Sequence, residues 1–207
     1  LLTVLFAGID IGTSGAYNGT KTETYPLNLT SRDTLLLKMV NDDELNFQDK
    51  LRRSSKRIKV EDNGVKKIYS TNLKVSVKKS NTEEFIFKIR KVSEGRNKDK
   101  ASENATKIDY DYSIINSTLK LNAFFLSHLY RRSRNEIVYI TIYIPENKVL
   151  HIDTSTYGFL YETNYNNNLY NGDLTSHFFE MTEKGLNCTD CIKWRGNKKR
   201  KYNSSSK

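Results

Sequence analysis

The sequence predicts an all-β fold, and two observations carry that prediction. Short runs in which apolar and polar residues alternate recur along most of the chain, and this two-residue period is typical of half-buried strands. Residues that favour strands are also abundant, with 13 Tyr against only 2 Pro among 207 residues. With 37% hydrophobic residues, a chain of this length can form one substantial core, so one domain is expected.

Residues 136–153 carry the clearest strand signal. Aliphatic side chains alternate there with residues of mixed character, which predicts a strand with one wholly aliphatic face in a packed sheet. Pro145 cannot donate a hydrogen bond to a neighbouring strand and ends this strand. Residues 146–148 then form a corner, and residues 149–153 alternate again as a short second strand. The aliphatic residues are Val138, Ile140, Ile142 and Ile144.

The other predicted elements are shorter. Asn63 and Gly64 lie between two strand signals and predict a tight hairpin turn, and residues 31–33 and 115–117 are further turn clusters. One short polar helix is predicted over residues 97–107, at the surface. The remaining strands are predicted at residues 23–29, 34–39, 57–60, 65–69, 72–79, 84–92, 108–114, 118–121, 177–181 and 186–188.

The two ends of the chain differ from its body. The first nine residues are apolar except for Thr3, and small polar residues follow them. Residues 1–19 are therefore predicted to be the end of a membrane helix and its linker, with a buried terminal strand as the alternative. Nine residues alone are too few to cross a bilayer, which takes roughly 20. The β-rich domain is assigned to residues 20–191, and a disordered basic tail to residues 192–207.

Positive charge is concentrated outside the predicted core. The net charge is +10, and the tail contributes seven of these charges, so the body carries about +3. A body this close to neutral disfavours a nucleic-acid binder. Basic clusters can contact phosphates, lipid headgroups or other polyanions, although most are simply solvated. The possible anion-contact surface comprises Lys50, Arg52, Arg53, Lys56, Arg57, Lys198, Lys199, Arg200 and Lys201.

Cys188 and Cys191 form the only chemically suggestive motif, a Cys-x-x-Cys. Such a pair can be a disulfide, two free thiols, or a metal or redox site. A redox dithiol is expected to open a helix, which this region lacks. A zinc site would need ligands from His128, His151 or His177, whose spacing is not paired. A disulfide is the favoured prediction in an oxidising compartment.

The sequence predicts no catalytic, cofactor-binding or metal site. Nucleophile elbows, phosphate-binding loops and dinucleotide-binding glycines are absent from it. Asp109 and Asp111 share one face of a predicted strand and could be taken for a carboxylate pair, but alternating Asp on a wet strand face is the common case. The tyrosines crowded into the second half of the chain suit half-exposed strands, with a binding surface as the less favoured interpretation.

The order of these segments resembles a known family. LKVSVKKS, FIFKIRKVSEG, EIVYITIYIPENKVLHID and FFEMTEKGLNCTDC, in succession, look like the C-terminal extracytoplasmic region of PspC (phage-shock protein C) membrane proteins of Bacteroidetes, over roughly residues 20–191. The resemblance implies a toast-rack fold, which is an elongated, solenoid-like stack of short strands. It also implies an N-terminal PspC domain and transmembrane helices upstream. One departure is that similar proteins tend to end in an acidic tail, whereas this chain ends in KKRK before its last residues.

The resemblance also carries the leading functional hypothesis. It implies a non-enzymatic protein of the bacterial inner membrane whose β domain lies in the periplasm, needs no cofactor, and acts in envelope stress through association or sensing. The expected partners are a second copy of the protein or another envelope protein. The alternative is an adhesin-like surface module that binds polyanionic glycans or lipid headgroups through the basic loop and tail.

Overall fold

The computed structural model describes residues 17–27, 29, 34–40, 57–62, 65–128, 135–163 and 174–191. For residues 57–62, 65–67 and 128, only the backbone is described. The structure is all-β, with three open sheets and one α-helix in this part of the chain. The predicted all-β stack with one short surface helix is therefore confirmed.

A four-stranded sheet contains the core strand. Its order is β1-β6-β10-β5, and all neighbours are antiparallel except β10 and β5, which run parallel. β10 alternates as predicted, because Val138, Ile140, Ile142 and Ile144 are fully buried. The strands are β1 (Tyr17–Pro26), β5 (Leu73–Lys79), β6 (Ile86–Gly95) and β10 (Ile137–Ile144).

A six-stranded sheet lies on the other side of the core. Its order is β13-β12-β11-β2-β8-β7, and β2 runs parallel to both of its neighbours. Aliphatic side chains from both sheets belong to one buried cluster, which stabilises their packing. The strands are β2 (Thr34–Val40), β7 (Tyr112–Ile115), β8 (Thr118–Asn122), β11 (Val149–Ile152), β12 (His177–Thr182) and β13 (Gly185–Cys188).

The chain passes from one sheet to the other at the predicted corner. β10 ends before Pro145, and β11 starts at Val149 in the six-stranded sheet. Asn147 adopts a left-handed backbone with φ +62°, and its N–H donates to the carbonyl of Met181 at 2.8 Å. The corner therefore joins the two sheets and is also hydrogen-bonded to β12.

The third sheet has three strands in the order β3-β4-β9. Its strands are β3 (Arg57–Asp62), β4 (Val65–Ser70) and β9 (Phe125–His128). Asp62 pairs with Val65, so the connection between β3 and β4 has two residues, as the Asn-Gly signal predicts. The two turn residues themselves lie outside the described residues.

The one α-helix, α1 (Lys98–Thr106), packs against β1 and β6. Asn97 caps it, because its side-chain oxygen accepts a hydrogen bond from the N–H of Lys100 at 2.8 Å. Three residues on one side of α1 are buried against the sheet: Ala101, Asn104 and Ala105. The opposite side is polar and exposed, in agreement with the predicted surface helix.

Two predicted strands begin elsewhere in the structure. The strand predicted at residues 23–29 is β1, which begins at Tyr17 and ends at Pro26. The strand predicted at residues 108–114 begins only at Tyr112, and Asp109 makes a single bridge to Leu126. The reason is Tyr110, which is buried and donates its hydroxyl hydrogen to the carbonyl of Asn122 at 3.0 Å, anchoring the chain before the strand starts.

The predicted ends of the chain are not described. Residues 1–16 and 192–207 lie outside the described residues, and so do the predicted membrane segment and basic tail. In the described ranges, no helix has both the length and the apolar character that crossing a membrane requires.

Candidate functional site

The Cys-x-x-Cys motif lies at the open end of the β12–β13 hairpin, opposite the turn that joins the two strands. Cys188 is the last residue of β13, and the structure joins it to Cys191 in a disulfide, with the two Cα atoms 5.6 Å apart. The N–H of Cys191 also donates to the Cys188 sulfur at 3.1 Å. Of the three alternatives that the sequence leaves open, the structure contains the closed disulfide, and the described residues include no free cysteine.

Backbone hydrogen bonds hold the disulfide loop against β12. The N–H of Thr189 donates to the carbonyl of Phe178 at 2.9 Å, and the N–H of Phe178 donates to Asp190 Oδ1 at 3.0 Å. The hydroxyl of Thr189 donates to the same carbonyl at 3.1 Å. The loop is therefore positioned by contacts that do not depend on the bond between the two sulfurs.

One of the three histidines lies beside the disulfide. His177 is the first residue of β12, and its Nδ1 is 3.3 Å from Asp190 Oδ1. Ligand atoms of His177, Cys188, Asp190 and Cys191 all lie within 4.8 Å of one another. Sequence spacing does not reveal this group. His177 and Asp190 are well separated in the chain, and the antiparallel pairing of β12 and β13 places them opposite each other.

The other histidines are not part of this group. His151 is half-buried on the face of β11 opposite Leu150 and Ile152, and its ring lies 4.5 Å from that of Phe178. For His128, only the backbone is described, and it pairs with Lys67 in the three-stranded sheet. The two histidines therefore occupy separate strands in separate sheets.

The outer face of the four-stranded sheet carries a second arrangement of interest. Lys74 and Arg90 flank Tyr139 as its partners on the two neighbouring strands. The Arg90 guanidinium lies 4.3 Å from the Tyr139 ring centroid, and the Lys74 ammonium lies 4.2 Å from that of Tyr161. Such cation–π contacts hold the rings and the cations in one layer. We call the set the basic–aromatic face: Lys74, Lys78, Lys88, Arg90, Tyr139, Tyr143 and Tyr161.

The anion-contact surface predicted from sequence cannot be located in the structure. Arg57 opens β3, where only the backbone is described. The other predicted residues lie outside the described residues: Lys50, Arg52, Arg53, Lys56, Lys198, Lys199, Arg200 and Lys201. The basic–aromatic face contains none of them, and the sequence analysis missed it because its cations are spread singly over two strands.

Asp109 and Asp111, the two residues that could be taken for a carboxylate pair, are both exposed, on either side of the buried Tyr110. Burial, with a smaller effect of the Asp111 charge, raises the pKa of Tyr110 far above its ordinary value, so its hydroxyl stays protonated and structural. Glu136 is the buried carboxylate that sequence analysis missed; it accepts a hydrogen bond from the Ser127 hydroxyl at 2.7 Å.

Comparison with known proteins identifies the family. No curated protein and no solved structure matches the chain. Residues 59–194, more than half of the chain, match the family model described as "ToastRack found in some PspC". The matched range contains the strands from β4 to β13, the helix and the disulfide, and it begins within β3, so it leaves out β1 and β2, whereas the sequence places the resemblance over roughly residues 20–191. The chain therefore belongs to the toast-rack family found at the C-terminus of some PspC proteins.

Proposed function

We propose that this chain is the periplasmic part of a membrane-anchored PspC-type protein of the bacterial inner membrane, and that it acts in envelope stress by association and not by catalysis. The family match supports this proposal, since toast-rack domains of this type are not a catalytic family. The partner we favour is a second copy of the chain. Another envelope protein with a free strand edge is the alternative occupant of the same surface.

The observation that carries the proposal is the free edge of β1. β1 is the terminal strand of its sheet and pairs only with β6 among the described strands. It is ten residues long and mostly exposed, whereas the edge strands of the six-stranded sheet, β7 and β13, have four residues each. A long edge offers a row of backbone donors and acceptors to another chain.

Little on β1 prevents such pairing. Its outward residues include Thr20, Thr22 and Thr24, which are uncharged and favour strands. Tyr17 and Tyr25, near its two ends, are 46% and 38% exposed and could extend a contact beyond the backbone. The features that blunt many natural edge strands are confined to three of its ten positions, the charged Lys21 and Glu23 and the terminal Pro26, which cannot donate a hydrogen bond.

Charging the edge tests the association. Lysines at Thr22 and Thr24 should repel a second copy, whereas Ser113→Lys on β7 places the same charge on the edge strand of the other sheet. We expect sedimentation equilibrium to show self-association that the Thr22→Lys, Thr24→Lys variant weakens at least about tenfold and that Ser113→Lys leaves unchanged. Wild-type chain that stays monomeric at all concentrations, with no envelope partner crosslinked through β1, would contradict the proposal.

The location needs a separate test. Protease added to spheroplasts that express the full-length protein should remove this domain, and Cys188 and Cys191 should resist thiol labelling before reduction. A domain that is protected from protease and has two reactive thiols would place it in the cytoplasm and reject the periplasmic assignment.

The basic–aromatic face favours a second candidate function, the binding of polyanionic glycans or lipid headgroups. Its lysines and arginine supply positive charge, and the tyrosine rings supply flat apolar surface for sugar rings. An anionic polysaccharide and anionic lipid vesicles, tested separately, should both bind less well when Lys78, Lys88 and Arg90 are changed to Gln. Lys184→Gln, in the β12–β13 turn, is the matched control. Binding that moderate salt leaves intact would reject this electrostatic candidate.

Nucleic-acid binding is the third and least favoured function. The body of the chain is close to neutral, so retardation of DNA should depend on the basic residues after Asp190. Deletion of residues 193–207 should abolish any such retardation. A tail-less domain that still shifts DNA would show that the body itself binds nucleic acid.

A further inference from the structure

The end of the β12–β13 hairpin gathers four side chains that zinc prefers. Two cysteine sulfurs, a histidine nitrogen and a carboxylate oxygen lie within 4.8 Å of one another. Zinc is bound in proteins by these atom types, and two cysteines separated by two residues are a usual half of a structural site. We propose that reduction of the Cys188–Cys191 disulfide converts this hairpin end into a tetrahedral Zn²⁺ site whose ligands are Cys188, Cys191, His177 and Asp190.

The required movement is small. With bonds of about 2.0 to 2.3 Å, tetrahedral ligands lie about 3.3 to 3.8 Å apart. Asp190 Oδ1 already lies 3.3 Å from His177 Nδ1 and 3.4 Å from the Cys188 sulfur. All four groups are within 4.8 Å, so no pair needs to close by more than roughly 1.5 Å, and the sulfurs need to separate to about 3.7 Å. The Cα atoms of the two cysteines, 5.6 Å apart, leave room for this change through rotation of the side chains alone.

The loop should keep its place when the disulfide opens. Asp190 and Thr189 hold the loop to Phe178 through hydrogen bonds that include no sulfur. The β12–β13 register, with Phe179 opposite Cys188, fixes the base of the hairpin in the same way. The hairpin, and not the disulfide, therefore holds the ligands in place. Because they are already ordered, less conformational entropy is lost when they bind a metal ion.

The state of His177 also points to a ligand. Its Nδ1 is buried and has no hydrogen-bond partner among the described residues, although Asp190 Oδ1 lies 3.3 Å away. Asp190 Oδ1 is within ion-pair distance of this nitrogen and can pair with it when Nδ1 carries a hydrogen. When Nδ1 carries none, its lone pair faces the group formed by the carboxylate and the two cysteines and is free to bind a metal ion.

The chemistry balances with a dithiol as the reductant. Thiol–disulfide exchange reduces the protein disulfide to two thiols and oxidises the dithiol to its own disulfide. Zn²⁺ then displaces one proton from each thiol, because thiolates are the ligands. Reoxidation by a disulfide oxidant would release the ion, so zinc binding and the disulfide exclude each other at this site.

Zinc titration of the full chain tests the proposal. The chain is titrated as isolated and after treatment with a phosphine, which reduces the disulfide and is converted with water to the phosphine oxide. We expect one Zn²⁺ per reduced chain, bound at least about 100-fold more tightly than by the disulfide form. Co²⁺ in place of Zn²⁺ should give the absorption of a tetrahedral thiolate site.

Variants locate the ion. His177→Ala and Asp190→Asn should each weaken binding by about 10-fold or more in the reduced chain. His151→Gln, a histidine on the adjacent strand outside the ligand group, should leave binding unchanged. Zinc should also raise the melting temperature of the reduced chain and of His151→Gln, but not that of the disulfide form, which confirms binding to folded protein.

Two results would overturn the proposal. One is a reduced chain that binds zinc no better than the disulfide form. The other is tight binding that both His177→Ala and Asp190→Asn leave unchanged, since the ion would then be held by the cysteines with other ligands.

Discussion

Gly19 on β1 lies against the backbone of Ser102 in α1, so closely that a Cβ atom added to Gly19 would come within 2.1 Å of the Ser102 nitrogen. Gly95 on β6 has a similar relationship with Ala101, whose nitrogen would be 2.4 Å from an added Cβ. The two glycines let the helix backbone rest directly on the sheet. This close approach is possible because the buried side of the helix is formed by small residues, among them two alanines.

Gly19→Ala should therefore displace α1. The clash is with backbone atoms, which cannot rotate away, so we expect a loss in free energy of unfolding of about 1 to 3 kcal/mol in urea titrations. Thr20→Ala, at the next and exposed position of β1, should cost less than about 0.5 kcal/mol. Equal effects of the two substitutions would show that β1, and not its contact with the helix, determines the loss.

Asn104 links the helix to β6. Its side chain is 1% exposed, and its Nδ2 donates to the carbonyl of Glu94 at 2.9 Å. Asn104→Asp keeps the shape but replaces this donor by an oxygen that faces another oxygen. We expect it to lower the free energy of unfolding by about 1 to 3 kcal/mol.

The pH dependence of Asn104→Asp has a defined sign. Burial disfavours the charged form and raises the pKa of the new carboxyl in the folded state. The loss in free energy of unfolding should therefore grow as pH rises above the ordinary pKa of Asp, about 4. Asn116→Asp, the same change at an exposed residue, is the control. Chemical denaturation at pH 4 and pH 7 would compare the two, and a pH-independent loss would contradict the burial of the new charge.

Glu103 should titrate well below an ordinary glutamate. Hydrogen bonds from Lys100 and Lys107 lower the pKa of its carboxyl from 4.5 to about 2. A lowered folded-state pKa adds stability that is fully present above pH 4.5 and is lost as pH falls towards 2. The Glu103 side chain is exposed, so salt should weaken the effect.

NMR titration of the Glu103 side-chain carboxyl tests this pairing. Changing Lys100 and Lys107 to Gln should return the pKa towards 4.5, whereas Lys98→Gln, on the same helix but outside the pairs, should leave it low. A Glu103 carboxyl that titrates near 4.5 in the unmodified chain would mean that the two lysines do not hydrogen-bond to it when the protein is in solution.

Periodicity predicts most strands of this chain but not their partners, and it does not predict β9 (Phe125–His128). The alternation in β10 predicts its buried face correctly at every second residue, since each of those side chains meets the core. The same pattern does not distinguish a parallel from an antiparallel neighbour, and β10 has one of each in β5 and β6. Partner choice depends on contacts between residues far apart in the chain, which a local period does not encode.

The candidate sites, like the strand partners, can be predicted from the sequence only in part. The Cys-x-x-Cys spacing is visible in the sequence, because its two residues are close together in the chain. His177 joins it only through the β12–β13 register, and Arg90 joins Lys74 only across β10. Residues brought together by strand pairing have no fixed sequence separation, so motif spacing cannot detect them.

The β7–β8 turn offers a test of local backbone strain. Ile115 pairs with Thr118, so the loop consists of Asn116 and Ser117, with φ of 48° and 60°. Both values lie in the left-handed region that two-residue hairpin loops of this type require, and Asn is among the few side chains that tolerate it. Valine there would bring its branched side chain against the backbone.

Asn116→Val should lower the free energy of unfolding by about 1 to 2 kcal/mol, whereas Asn116→Gly should be close to neutral because glycine has no Cβ. Ile115→Val introduces the same side chain one residue earlier, within β7, and should cost less than about 1 kcal/mol at this half-exposed position. Thermal and urea unfolding of the three variants would measure and compare these losses in free energy of unfolding. If Asn116→Gly were as destabilising as Asn116→Val, the asparagine side chain itself, and not the left-handed backbone, would be what stabilises the turn.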